Sequence, residues 1–144
     1  MTLGILKESG GEHRVAVTPD ALPGLMKLGF QNIWVERGAG DNAFFDDASY
    51  EKQGGQVADL ESVLKQASVL VCIHAPSKDV LQKLSAGQIL IGQFNPLSQH
   101  QMVEDMLQAG VSAFSLDLAP RSTRAQALDV LSSMATVGGY KAVL

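Results

Sequence analysis

Two stretches of the chain concentrate side chains able to hold a polar ligand. The first is Glu12-His13-Arg14-Val15-Ala16-Val17-Thr18-Pro19. A guanidinium there presents a planar fork matched to a carboxylate or a carboxamide, which makes Arg14 a candidate ligand contact. The same spacing also suits a surface salt bridge from Arg14 to Glu12 or Glu8. The second stretch runs from Pro120 through Arg121, Gln126 and Asp129 to Met134. If it is helical from about Thr123, then Gln126, Asp129 and Ser132 or Ser133 recur at i, i+3 and i+6 or i+7 and share one face. An amide, a carboxylate and a hydroxyl with Arg121 beside them would clamp a planar amide. A solvated helix face satisfies the same pattern.

Other patterns carry less chemistry. Gly38-Ala39-Gly40-Asp41-Asn42-Ala43 fits G-x-G-x-x-A, with Asp59 about twenty residues on. A dinucleotide fingerprint needs a helix opening directly after it, so that the backbone can meet a pyrophosphate. Phe44-Phe45-Asp46-Asp47 does not continue such a helix, and its carboxylates would repel phosphates. The segment reads as a turn that needs positive φ. Cys72 and His74 share a strand face, but nothing at metal-ligand spacing joins them, so no metal is expected. His13 and His100 read as surface residues. Neither a G-x-S-x-G elbow nor a G-x-x-x-x-G-K-[ST] loop is present.

These residues need elements to position them. Short apolar runs alternate with amphipathic segments, the pattern of βα units and a parallel sheet. Strands are expected at Leu3–Leu6, Ile33–Glu36, Gln56–Ala58, Val69–Ile73, Ile89–Gly92 and Val111–Ser115. Helices are expected at Asp20–Leu28, Ala48–Gln53, Leu60–Gln66, Asp79–Leu84, Gln99–Ala109 and from Thr123 to the end, with a bend near Gly138-Gly139. Caps are expected from Asp20, Asp47, Asp59 and Ser77 or Ser98. The fold class is therefore α/β: a doubly wound, mainly parallel sheet, flavodoxin-like or Rossmann-like, without a dinucleotide-binding Gly-rich loop. Both candidate stretches then follow strands, at the carboxyl edge where open α/β sheets bind ligands.

The bulk figures bound the rest. With 144 residues, 46% hydrophobic and 18% charged, the chain has the balance of one folded domain. A net charge of −4 and the lack of any basic run exclude a nucleic-acid surface. A single cysteine excludes an internal disulfide. No signal peptide or membrane-spanning run is visible, which suggests a cytoplasmic chain and leaves room for a membrane-bound partner. The sequence stops within what reads as a helix, as a piece of a larger fold would.

Several motifs together resemble the N-terminal domain shared by alanine dehydrogenases and the α subunit of proton-translocating NAD(P) transhydrogenases. They are Gly4-Ile5, Arg14-Val15-Ala16 to Thr18-Pro19, Gly38-Ala39-Gly40, Ala75-Pro76, Ser132-Ser133-Met134 and Gly139-Tyr140, and they extend over essentially the whole chain. Pro120-Arg121 followed by Arg124-Ala125-Gln126 and Leu128-Asp129 is similar to the transhydrogenase branch. The dehydrogenase branch carries a lysine where this chain has His74 and a histidine where it has Asn95. Loss of that acid–base pair argues against amino-acid deamination, which needs proton transfer.

The resemblance implies that residues 1–144 form the N-terminal domain of an NAD(H)-binding component, with 123–144 leading into a Rossmann domain. It implies that Arg121, Gln126, Asp129 and Ser132 contact nicotinamide, that Asp129 pairs with Arg121, and that no residue acts as acid or base. NADP(H) would bind a partner component and membrane subunits would couple hydride transfer to proton movement, making the protein peripheral to the inner membrane. A homodimer stays open. The chain alone is expected to be inactive. The competing expectations are a domain of an alanine- or saccharopine-type dehydrogenase and a stand-alone, non-catalytic binding module.

Overall fold

The computed structural model describes residues 1–120 and 122–143. Six strands run β1 (Thr2–Ile5), β2 (Asn32–Glu36), β3 (Gln56–Ala58), β4 (Val69–Val71), β5 (Ile89–Gly92) and β6 (Ser112–Ser115). They form one sheet in the order β3-β2-β1-β4-β5-β6, and every pair is parallel. The chain winds outward from β1 to β3, returns to β4 beside β1, and winds outward again. The expected doubly wound α/β class is what the chain adopts.

Alternation along the strands explains the two cores. Leu3 and Ile5 of β1, Ile33 and Val35 of β2 and Val69 of β4 pack on one face with Leu22 and Tyr50. Those two residues come from α1 (Leu22–Lys27) and α2 (Asp47–Lys52). On the other face, Leu70, Cys72 and Leu90 pack with Val63, Leu64, Leu81 and Met106. These belong to α3 (Leu60–Gln66), α4 (Lys78–Leu81) and α5 (His100–Ala109). Period-two side chains buried on both faces are what a parallel sheet with helices above and below requires. The two clusters hold almost every fully buried aliphatic, so their packing is the main source of stability.

Several boundaries differ from expectation. The segment from Pro19 opens as a 3₁₀ turn (Pro19–Ala21), so Asp20 sits inside that turn and does not cap α1. Asp46, not Asp47, caps α2, its Oδ1 accepting from the Ser49 N–H at 2.9 Å. Asp59 caps α3 as expected, accepting from the Ser62 N–H. Strand β4 ends at Val71, although Cys72 N–H still donates to the Ile91 carbonyl.

The largest departure is at the C-terminal end. The expected single helix is two pieces, a 3₁₀ segment (Thr123–Leu128) and α6 (Val130–Val143), broken at Asp129, whose ψ is 86°. The Asp129 carboxylate accepts from the Leu131 and Ser132 N–H groups, each at 3.1 Å, and so caps α6. An aspartate offers its own backbone this alternative to helical pairing, which is why it interrupts a helix more readily than it continues one. Helix α6 runs on through Gly138 and Gly139. Its Leu131, Val137, Tyr140 and Val143 are exposed. Among the described residues no helix is long and apolar enough to cross a membrane.

Candidate functional site

The carboxyl ends of β1, β4, β5 and β6 open onto a row of clefts. At the switch point between β1 and β4, a cleft of about 240 Å³ is lined by residues that include Lys7, Glu8, Glu36, Cys72 and His74. The next is lined by His74, Gln93, Asn95 and Asp117 among others. The third, of about 500 Å³, brings Gln93 and Asp117 together with Gln126, Asp129 and Ser132. Leu116, Ala119, Pro120, Val130 and Leu131 supply its apolar surface.

Three of the four residues expected to contact a ligand therefore meet in one cleft, but not as one helix face. Gln126 lies on the 3₁₀ segment, Asp129 at the break, and Ser132 in the first turn of α6. Ser132 Oγ donates to Asp129 Oδ2 at 2.7 Å, which fixes the hydroxyl on the capping carboxylate. The Gln126 side-chain amide is exposed and has no hydrogen-bond partner among the described residues. An exposed amide beside an apolar wall suits a flat ring carrying a carboxamide, because amide pairs with amide through one donor and one acceptor. Arg121, the fourth residue, lies outside the described residues, as does the side chain of Ser133, so the expected Asp129–Arg121 pairing is not among the described contacts.

Arg14 is engaged elsewhere. Its Nε and Nη2 donate to the two carboxylate oxygens of Glu12 at 2.9 and 2.6 Å. The His74 Nε2 lies 2.9 Å from the same Glu12 oxygen that Nη2 reaches. Of the two arrangements open to Arg14, the salt bridge is the one formed, and Arg14 does not line the cleft of Gln126. The Arg14 side chain holds the Glu12 carboxyl well below the usual glutamate range, although burial opposes the shift. A group whose pKa is lowered by folding contributes stability that is complete above its unfolded value and drains away as pH falls below it. We expect the urea midpoint of the wild type to exceed that of Glu12→Gln at pH 5. The margin should shrink as the pH falls through the ordinary value of 4.5. A margin that grows as the pH falls below 5 would contradict the ion pair.

The glycine-rich turn is closed by the protein itself. Gly38 has φ +69°, and its N–H donates to Asp47 Oδ1 at 2.8 Å. A carboxylate thus takes the anion position that a pyrophosphate would claim. At Gly40 an added Cβ would lie 2.6 Å from the Phe45 carbonyl, so the second glycine serves local packing. Cys72 and His74 part company: the thiol is buried, and burial pushes it up, whereas the imidazole is exposed.

The matching family model is "Alanine dehydrogenase/PNT, N-terminal domain", over residues 4–138. The chain belongs to this family. It is 38% identical over 135 residues to the NAD(P) transhydrogenase subunit alpha of Cereibacter sphaeroides, an alignment covering 93% of this chain and 26% of that protein. Against the alanine dehydrogenase of Halomonas elongata it is 29% identical, covering 99% of this chain and 38% of that one. The solved transhydrogenase of Sinorhizobium meliloti superposes with a TM-score of 0.93 at 35% identity, over 99% of this chain and 43% of that one. The chain thus spans about a quarter to just over two fifths of the length of these relatives.

For a member of the alanine dehydrogenase/PNT family, sequence reasoning missed two residues that line the cleft. Gln93 and Asp117 are shared by the second and third clefts. Gln93 follows the last residue of β5 directly, and Asp117 lies two residues beyond β6. Their position just past a strand end was the available signal, since the carboxyl edge collects ligand-facing side chains.

Proposed function

We propose that this domain is the nicotinamide-facing wall of the NAD(H)-binding component of a proton-translocating NAD(P) transhydrogenase. The observation that carries the reading is the meeting of Gln126, Asp129 and Ser132 with Gln93 in one part-apolar cleft at the carboxyl edge of the sheet. The higher identity to the Cereibacter sphaeroides α subunit, 38%, than to the Halomonas elongata alanine dehydrogenase, 29%, supports the same branch. Bound there, NADH would supply a hydride that passes directly to NADP held by a partner component.

The chain's own part is to orient and to exclude water. Gln126 would pair with the carboxamide, Ser132 would add its hydroxyl oxygen, and Leu116, Val130 and Leu131 would lie against the ring. Asp129 would hold the wall's shape by capping α6, and Arg121 would complete the group. Direct hydride transfer needs positioning and no general acid or base at the ring. Asn95, standing where the dehydrogenase branch carries a histidine, favours this over amino-acid deamination, because an amide cannot shuttle a proton at neutral pH. The Gly38 turn, with its N–H already on Asp47, offers the adenosine half no pyrophosphate cradle. A Rossmann domain of the same protein would provide one, with residues 123–144 leading towards it. Partner subunits would bring the protein to the inner membrane.

Titrating NADH into the 144-residue chain and into the protein containing both domains tests this. We expect nicotinamide fluorescence to report binding only when the second domain is present, and hydride transfer only when the NADP-binding component is added. Tight binding by the 144-residue chain alone would overturn the assignment of the pyrophosphate site.

A further inference from the structure

We propose that Asp117 is a positioning residue for hydride transfer, clamping the loop after β5 to the loop after β6 so that both walls of the nicotinamide cleft keep one geometry. This rests on the reading given above for the Gln126 cleft.

Asp117 Oδ1 accepts from the Phe94 N–H at 3.1 Å, and Oδ2 accepts from the Asn95 N–H at 3.0 Å. Ser115 Oγ also accepts from the Phe94 N–H, at 2.9 Å, and donates to Asp117 Oδ1. One carboxylate therefore holds two successive amides of a loop that lies 22 residues away in sequence for Asn95. Those amides belong to no helix or strand, so the carboxylate is not an ordinary cap.

The clamped loop makes a sharp turn. Asn95 has φ 46°, the left-handed region, and its carbonyl accepts from the Ser98 and Gln99 N–H groups, each at 3.1 Å, as the chain turns into α5. A left-handed non-glycine residue persists only where its surroundings over-determine it. Gln93, immediately before the clamped pair, faces both clefts, and Asp117 lines both. Gln126 and Ser132 line the third cleft as well. The carboxylate thus ties the loop after β5 to the loop after β6, and both loops line the second and third clefts. Burial alone would raise the Asp117 pKa, but the hydrogen bonds from Ser115 and the two amides outweigh it, so the group stays charged.

Asp117→Asn is the sharp variant. It preserves shape and one acceptor, but sets an NH2 group against a backbone N–H. The intact protein with its NADP-binding component should be assayed for NADH affinity and for single-turnover hydride transfer to an NADP analogue, alongside Ser115→Ala and Gln126→Ala. We expect Asp117→Asn to slow transfer by about ten- to a hundredfold, as misplacement on the ångström scale does, while NADH affinity changes less than about threefold. Ser115→Ala, which keeps the carboxylate, should retain most of the rate. Amide exchange at residue 95 should rise in Asp117→Asn only, whereas the residue 94 amide, held by Ser115 as well, should respond to both variants.

A rate within about twofold of wild type for Asp117→Asn, with Gln126→Ala impaired, overturns the clamp and leaves the site reading intact. Wild-type rates in both variants overturn the two together. Loss of NADH affinity equal to the loss of rate, or a lowered melting point that accounts for it, makes Asp117 merely structural and also overturns the proposal.

Discussion

Gln126→Ala is expected to slow hydride transfer to an NADP analogue by about tenfold or more, with a smaller loss in NADH affinity. The amide is exposed in the third cleft and has no partner among the described residues, whereas Ser132 and Asp129 already bind each other. Removing one or two hydrogen bonds to a carboxamide weakens binding by about 0.5–1.5 kcal/mol each. The larger effect falls on rate, because a ring free to rotate spends less time with its reacting carbon facing the acceptor. Gln126→Glu isolates the donor: it keeps the length of the side chain and the acceptor oxygen but replaces the NH2 donor by a second, charged acceptor oxygen. If alanine leaves single-turnover transfer within about twofold of wild type in the intact protein, the nicotinamide does not sit against this cleft.

The second large effect is on folding. An added Cβ at Gly4 would lie 2.7 Å from Leu70 Cδ2, 2.8 Å from Ala67 Cβ and 2.9 Å from Val63 Cγ1. Gly4 is in β1, between β2 and β4, so α3 approaches the sheet across this one residue. Three contacts below 3.0 Å cannot all be relieved without lifting α3, and overpacking of this kind costs about 3 kcal/mol. Against a total of about 5–15 kcal/mol that is a large fraction. The urea midpoint should fall accordingly, by the cost divided by the unchanged m-value. Val63→Ala in the Gly4→Ala background should destabilise less than Val63→Ala does alone, because the pair share one space. Gly24→Ala is the control, since Gly24 is on the exposed side of α1 with nothing within 4 Å, and alanine favours a helix. Equal midpoints for Gly4→Ala and wild type would contradict the close approach of α3.

How much was legible in advance varied with the range of the interaction responsible. The continuous apolar run of β4 and the alternation of short strands with amphipathic segments determined a parallel α/β sheet, because burial on two faces leaves a local trace in every strand. Asp59 marked a helix start, where the chemistry involves only three or four neighbouring residues. The Gly38 turn was readable for the same reason. Glycine at positive φ followed by aspartates is a local fact, and Asp47 then occupies the amide that a phosphate would need.

What the sequence left open depended on partners far along the chain. Arg14 sits on Glu12, two residues away and one of the partners the sequence offered; the partner it did not offer is His74, three residues beyond β4 and 62 residues from Glu12, which meets the same carboxylate. The periodicity of residues 126–132 suggested a common helix face. Local capping by Asp129 instead broke the helix there, and the fold gathered Gln126, Asp129 and Ser132 around a cleft. Gln93 and Asp117 could not be singled out by spacing, because only strand pairing of β5 with β6 brings their loops side by side. The sequence by itself determined the family, the fold class and three of the cleft residues, since motif and burial pattern are written locally. Only the tertiary structure decided which charges neutralise each other and which second loop completes the cleft, because those contacts depend on the order of strands in the sheet.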